Sequence, residues 1–171
     1  NPDAAVLVAT IRALKYNGGV KKENLGVENL DALKKGFSNL EKHVENIQKF
    51  GVPLLVVINR FETDSQDEIE YVRERCKNLN VQVAFSEVYA KGGEGGIEAA
   101  EKLVHLLNTN KSCFRPLYDV NLPIKQKIET ICKEIYGAQG VVYTSAADKA
   151  IKKIEEMRLD KLPVCMAKTQ Y

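Results

Sequence analysis

The sequence feature with the clearest chemical potential is a short segment rich in glycine. This glycine segment consists of Lys91, Gly92, Gly93, Glu94, Gly95 and Gly96. An apolar run precedes it and an amphipathic pattern follows it, which predicts a strand, a loop and a helix. Such a loop presents backbone N–H groups and a helix N-terminus to an anion, and glycine allows a ligand to approach the backbone closely. We therefore predict a site for a phosphate or similar anion between Tyr89 and Ile97, with Lys91 as a mobile positive charge.

Two features of the glycine segment leave alternatives open. Glycines between a strand and a helix also serve as a tight turn that lets the two elements pack closely. Glu94 places a negative charge where an anion would bind. The Glu94 side chain either turns outward or makes a polar contact to a substrate.

Aromatic and basic side chains follow the other predicted strands. Phe61 follows the second strand and Tyr89 the third, and Arg12 and Lys15 follow the first. Because ligands collect at the carboxyl edge of a parallel sheet, the two aromatic rings could flank a flat heterocycle there. The alternative for Phe61 is a ring that folds back onto the core. Arg12 and Lys15 either face a substrate or are solvated surface charges.

The elements that would position these residues alternate along the chain. Apolar runs at residues 4–10 and 53–59 predict buried strands, the first of them buried on both faces, and residues 81–88 predict a third strand. Helical periodicity marks residues 29–50, a segment from Ser65 to about Leu79, and residues 95–108. Ser65 and Glu68 fit a capping box. Later segments predict a helix that begins near Leu122 and a second helix capped by Ser145 with Asp148. They also predict a short strand or extended piece at 141–143 and a strand at 162–168. The order predicts an α/β fold, with a mostly parallel sheet and helices on both faces.

Composition narrows the class of protein. The 171 residues are 44% hydrophobic and 28% charged, with a net charge of +2, so neither nucleic acid nor a membrane is the expected partner. No apolar run approaches the length of a membrane span. The four cysteines form no Cys-x-x-Cys pair, which predicts no metal site and free thiols in a reducing compartment. The common nucleotide phosphate loop, Gly-x-x-x-x-Gly-Lys-Ser/Thr, does not occur.

Several stretches taken together resemble one known family, formate–tetrahydrofolate ligase. They are Val-Ala-Thr-Ile-Arg-Ala-Leu-Lys (8–15), Phe-Gly-Val-Pro-Leu-Leu-Val-Val-Ile-Asn-Arg-Phe (50–61), Tyr-Ala-Lys-Gly-Gly-Glu-Gly-Gly (89–96), Ile-Tyr-Gly-Ala (135–138) and Leu-Pro-Val-Cys-Met-Ala-Lys-Thr-Gln-Tyr (162–171). The resemblance covers nearly the whole chain. It implies a cytoplasmic enzyme of one-carbon metabolism that joins formate to tetrahydrofolate with ATP, through formyl phosphate. It also implies a homo-oligomeric parent enzyme with a fold like that of phosphate-loop NTPases.

The resemblance also implies roles for particular residues. Two aromatics hold the pterin ring of the folate in this family, and they match Phe61 and Tyr89, although many members carry tryptophan at the second position. The glycine segment lies near the acyl phosphate. This assigns Lys91, Gly92 and Gly93 to catalysis, and it assigns Glu94, Gly95 and Gly96, together with the two aromatics, to substrate binding. The family's ATP-contacting lysine and threonine have no counterpart in the chain.

The same resemblance suggests a partial domain, a central-to-C-terminal piece of a longer enzyme that is inactive alone. We expect residues 1–110 to carry the folate-site loops and residues 111–171 to continue the same enzyme. ATP and tetrahydrofolate would be substrates of the parent enzyme. The alternatives are a stand-alone α/β module that binds a nucleotide or other phosphorylated ligand, and a scaffold domain without catalysis.

Overall fold

The computed structural model describes residues 1–166, which belong to two compact units. The first unit is Asn1–Phe114, and the second begins at Arg115. The boundary lies close to residue 110, where the sequence suggested a division. The assignment of these parts to regions of a parent enzyme stays a prediction.

The first unit contains a parallel sheet of three strands in the order β1-β2-β3. The strands are β1 (Ala5–Ala9), β2 (Leu54–Asn59) and β3 (Gln82–Ser86). Ala9 is paired with Ile58, and Asn59 with Ser86, so the three strands end at the same edge. The predicted parallel arrangement of the first three strands is confirmed, and their following loops leave from one side of the sheet.

Helices cover both faces of this sheet, as predicted for an α/β fold. They are α1 (Ile11–Asn17), α2 (Leu30–Gln48), α3 (Gln66–Asn78), the short α4 (Val88–Lys91) and α5 (Ile97–Thr109). Apolar residues of α1, α2 and α3 form one core with the sheet, represented by Phe37, Ile58 and Val72. On the opposite face α5 packs through Leu106 against Leu55 and neighbouring residues of β2 and β3.

Strand β1 differs from the expectation of burial on both faces. Every residue of β2 before Asn59 is buried, which confirms the prediction for that strand. In β1, Val6 and Val8 are 45% and 61% exposed, while Leu7 packs against the main core. The prediction is wrong for β1 because α5 lies over β2 and β3, and β1 is an edge strand with one covered face.

Helix starts follow the capping residues seen in the sequence. The Ser65 hydroxyl accepts from the Glu68 N–H at 3.2 Å, and the Glu68 carboxylate accepts from the Ser65 N–H at 3.2 Å. This confirms the capping box of α3. The Asn29 side chain caps α2 by accepting from the Ala32 N–H at 2.9 Å. Both caps lie where the chain approaches the carboxyl edge of the sheet.

The second unit contains two helices, α6 (Ile124–Glu134) and α7 (Ser145–Glu156). The Thr144 hydroxyl, rather than Ser145, caps α7 by accepting from the Ala147 N–H at 3.2 Å. Of the two alternatives for residues 141–143, the short strand is not found: these residues belong to no sheet, and Val142 is 96% exposed.

The strand predicted at 162–168 is also wrong over residues 162–166, and its remainder lies outside the described residues. Side chains take the place of a neighbouring strand here. The buried Lys127 ammonium donates to the backbone oxygens of Asp160 at 2.6 Å and Leu162 at 3.0 Å. The Tyr118 hydroxyl accepts from the Val164 N–H at 2.8 Å. An apolar sequence alone does not make a strand when no partner strand supplies hydrogen bonds.

A buried ion pair joins three segments of the first unit. The Lys15 ammonium and the Glu68 carboxylate are 2.9 Å apart, and both side chains are 0% exposed. Lys15 also donates to the Val27 backbone oxygen at 2.9 Å, and Glu68 accepts from the Asn29 N–H at 2.9 Å. The pair therefore fixes α1 and the segment before α2 to the start of α3. It excludes both sequence interpretations of Lys15, as a substrate contact and as a solvated charge.

None of the helices within residues 1–166 is both long and apolar enough to cross a membrane.

We predict that Lys15→Met lowers the free energy of unfolding by about 3–5 kcal/mol, because it leaves the buried Glu68 carboxylate without its cation. The matched control is Lys34→Met, which removes an exposed pair with Asp31 at 3.9 Å and costs less than about 1 kcal/mol. Urea denaturation measures both. Adding Glu68→Gln to Lys15→Met should recover part of the loss. Equal effects of the two single substitutions would contradict this account.

Candidate functional site

The site is a cavity at the carboxyl edge of the sheet, where segments that follow all three strands meet. Its volume is about 260 Å³. It is lined by Arg12, Arg60, Phe61, Glu62, Thr63, Tyr89 and Ala90. Two guanidinium groups and two aromatic rings thus line one depression, a combination suited to a planar ligand that carries negative charge.

The backbone and the ring of Phe61 are held by different residues. The Phe61 backbone N–H donates to the Asp64 carboxylate at 2.9 Å, and the Phe61 backbone oxygen accepts from the Asp64 N–H at 3.0 Å. The Arg12 guanidinium lies 4.0 Å from the ring centroid, and its Nη2 donates to the Thr63 hydroxyl at 3.0 Å. The loop after β2 is therefore a closed turn braced by α1.

Asp64 supports this turn from within the protein. It is only 4% exposed, and burial raises the pKa of its carboxyl above the ordinary value of 3.8. The hydrogen bond from the Phe61 N–H opposes that rise in pKa. The backbone donor therefore compensates the burial of this carboxylate only in part, because its Oδ1 atom is buried without a hydrogen-bond partner among the described residues.

Glu87 connects the loops that follow β2 and β3. Its carboxylate lies 3.4 Å from the Arg60 guanidinium and 2.6 Å from the Lys91 ammonium. The hydrogen bond from Lys91 is the main cause of the lowered pKa of Glu87. Lys91, predicted as a mobile positive charge, is thus paired with Glu87 four residues before it.

Tyr89 lies on α4, directly after β3. Its side chain is 95% exposed and lines the same cavity as Phe61. The strand ends at Ser86 rather than at Val88, because the chain turns into a helix there. The two aromatic residues predicted at adjacent loops are thus brought together at one cavity.

The glycine segment folds differently from the predicted loop. Gly92–Gly96 forms a 3₁₀ helix between α4 and α5. A Cβ added at Gly95 would lie 2.4 Å from the backbone carbon of Glu87, so only glycine fits, and the Gly95 oxygen accepts from the Glu87 N–H at 2.9 Å. Close packing accounts for this residue without a ligand.

The first half of the segment has a different environment. A Cβ added at Gly92 or Gly93 would meet no atom within 4 Å, and Gly92 has a positive φ of 59°. Lys91 and Glu94 are exposed beside them. The two sequence interpretations of the glycines therefore apply to different residues: packing explains Gly95, and an open backbone is left at Gly92 and Gly93.

A second, wider groove of about 420 Å³ lies at the opposite end of β3. It is lined by three cationic side chains, Arg73, Lys77 and Lys102, and by polar and aliphatic residues of 80–83. Lys102 is already bonded to the Val83 backbone oxygen and to Glu98, both at 2.7 Å. This open groove contains no aromatic ring and lies away from the loops that follow the strands, so its size does not make it the stronger candidate.

In the part of the chain that the structure describes, no three His, Cys, Asp or Glu side chains form a group that could hold a metal ion.

Comparison with protein families identifies the chain. The sequence model of formate–tetrahydrofolate ligase matches residues 1–171, the whole chain. The chain belongs to the formate–tetrahydrofolate ligase family. The family resemblance found in the sequence is confirmed, and with it the general activity of the family, the ligation of formate to tetrahydrofolate.

Within this ligase family member, the cavity includes residues that the sequence did not single out. Arg60, Glu62 and Thr63 line it beside Phe61, and Asp64 braces it. The sequence signal that could have identified these residues is their position in the same loop as Phe61. Arg12 was noted as a residue that could face a substrate, and it does line the cavity, whereas Lys15 beside it is buried in the ion pair.

The two environments within the glycine segment of the ligase generate a paired prediction. Gly95→Ala forces its Cβ against the Glu87 backbone and should cost roughly 1–3 kcal/mol in the free energy of unfolding. Gly93→Ala meets open space and should stay within about 0.5 kcal/mol of the parent protein. Thermal or urea unfolding of both variants tests this, and equal losses would show that the packing difference is not real.

Proposed function

We propose that the chain is part of an ATP-dependent ligase that makes 10-formyltetrahydrofolate through formyl phosphate. A formate oxygen attacks the γ-phosphorus of ATP, and the bond to the ADP oxygen breaks. N10 of tetrahydrofolate then attacks the formyl carbon, the carbon–oxygen bond to phosphate breaks, and N10 loses its proton. Family membership across the whole chain supports this proposal.

The observation that carries the assignment of the folate site is the meeting of Phe61 and Tyr89 at one cavity. In the proposal the pterin ring lies against these two side chains. Stacking on an aromatic face contributes through buried area and ring electrostatics. Arg60 adds positive charge to the cavity lining, which suits a folate because its glutamate part carries carboxylates.

The acyl-phosphate side of the proposed site comprises Lys91, Gly92 and Gly93, with Glu94, Gly95 and Gly96 as further substrate contacts. The open backbone at Gly93 supports this arrangement, because an N–H without a covering side chain can approach a phosphate. The Gly92 N–H already donates to the Val88 oxygen, so Gly92 contributes open space rather than a free donor. A free donor would stabilise charge that develops as the acyl bond forms and breaks. Glu87 holds Lys91, so in this proposal Lys91 contributes its charge as a member of a pair.

The nucleotide is proposed to bind mainly through parts of the parent enzyme beyond this chain, and the chain alone is proposed to be inactive. We also propose a cytoplasmic, homo-oligomeric parent with small-molecule substrates and no nucleic-acid partner. The four free cysteines support a reducing compartment. The oligomeric state rests on the family resemblance alone.

A stand-alone module or a scaffold would behave differently in a titration. Adding tetrahydrofolate to the isolated chain should change tyrosine fluorescence and the chemical shifts near Phe61 and Tyr89 if the cavity binds the pterin. A nucleotide that shifts the same signals in place of folate would favour the module. If no ligand changes the fluorescence or the chemical shifts, the result would favour a scaffold, or a site that needs the rest of the enzyme.

In the full-length enzyme, Phe61→Ala should raise the KM for tetrahydrofolate by about 10-fold or more while the KM for ATP stays within about 2-fold, because the lost aromatic contact is worth about 1–3 kcal/mol. Steady-state kinetics with each substrate varied in turn measures both constants. A matched control is Phe50→Ala, which removes a ring that stacks on Phe114 away from the cavity. Equal changes in the two KM values would argue against a pterin contact.

Gly93→Val should abolish turnover of the full-length enzyme while its melting temperature stays near that of the parent. The branched side chain would cover the backbone proposed to face the acyl phosphate, and its Cβ would meet no atom within 4 Å. Activity assays and thermal unfolding on the same preparation check this. Retained turnover would remove the glycine segment from the proposed site.

A further inference from the structure

Arg12 has an unusual place for a cation at a cavity wall. It lies in the first turn of α1, which starts directly after β1, and its guanidinium reaches across to the loop that follows β2. Its Cζ atom is 4.0 Å from the centroid of Phe61, a distance at which the cation and the ring attract each other. Its Nη2 donates to Thr63 at 3.0 Å. One side chain thus contacts both the ring and the turn that carries it.

These contacts place a cation over one face of the Phe61 ring. Two hydrogen bonds between Phe61 and Asp64 close this turn. Both use backbone groups of Phe61, so they set the position of the Phe61 backbone. The backbone alone does not set the rotation of the ring. The planar guanidinium over one face supplies that restraint, and a planar ligand in the cavity would use the opposite face of the ring.

We propose that Arg12 is a positioning residue for the folate ring, acting through Phe61 rather than through a direct contact with the substrate. The inference rests on the proposed function, since it takes Phe61 to be a pterin contact. Holding the ring in its binding orientation before the ligand arrives lowers the entropic cost of binding. The ring is then stacked between a protein cation and a substrate heterocycle.

A direct role for Arg12 predicts different energetics. The Arg12 Nε–H is buried and has no hydrogen-bond partner among the described residues, so a substrate carboxylate is the competing explanation for this side chain. If Arg12 acts through the ring, its loss matters only while the ring is present. If it binds the substrate itself, its loss matters whether or not Phe61 is there.

A double-mutant cycle in the full-length enzyme separates these cases. Arg12→Ala should raise the KM for tetrahydrofolate about 3- to 10-fold, with the KM for ATP and kcat within about 2-fold. The double variant Arg12→Ala/Phe61→Ala should have the same KM for tetrahydrofolate as Phe61→Ala alone. Fold changes that multiply in the double variant would overturn the inference and indicate direct contact with the substrate.

Two further variants guard against a purely structural effect. Thr63→Val removes the acceptor that anchors the Arg12 guanidinium and keeps the side-chain volume, so it should raise the same KM in the same direction by a smaller factor. This variant carries the test if Arg12→Ala does not fold. Arg73→Ala is the matched control, because Arg73 lies 4.9 Å from the Phe85 ring outside the cavity. Its KM for tetrahydrofolate should not change.

The outcomes also distinguish the positioning role of Arg12 from the proposed folate site at Phe61. If Phe61→Ala leaves the KM for tetrahydrofolate unchanged, the folate site itself is misplaced. If Phe61→Ala raises that KM and neither Arg12→Ala nor Thr63→Val does, the folate site stands and the positioning role of Arg12 fails.

Discussion

The buried pair of Lys15 and Glu68 is the interaction on which the carboxyl edge of the sheet depends. Two charges without solvent exposure are costly unless each is paired and hydrogen-bonded, and both conditions are met here. Glu68 also closes the capping box with Ser65, so one carboxylate serves a helix start, a loop and an ammonium. The cavity lies next to this cluster, because Asp64 immediately precedes Ser65.

This arrangement explains how a set of loops can carry a defined site. The loop after β2 is braced from beneath by Asp64 and from the side by Arg12. The loop after β3 is braced by the contact of Gly95 with the Glu87 backbone, and Glu87 connects the two loops through Arg60. Rigid support of this kind is what a site needs if the ligand itself is to bind without first ordering the protein.

Most of the local structure could be predicted because it depends on neighbours in sequence. The helical stripe of α2, the capping box of α3 and the buried run of β2 were all evident, and each depends on residues a few positions apart. The exceptions depend on distant partners. Val8 is exposed because α5 covers other strands, and Val164 forms no strand because Tyr118 and Lys127 bind the segment around it.

By itself, the sequence determined the alternation of strands and helices, the edge of the sheet at which Phe61 and Tyr89 lie, and the family to which the chain belongs. These follow from periodicity, from the geometry of parallel strands and from motifs in a fixed order. Only the tertiary structure decided which cationic side chains are buried in ion pairs and which line the cavity. Lys15 and Arg12 are three residues apart in similar sequence contexts, yet one is buried against Glu68 and the other stacks on Phe61. It also divided the glycine segment into a packed half and an open half. The physical reason is that pairing and packing depend on which atoms of distant segments approach within a few ångströms, and spacing along the chain does not encode that distance.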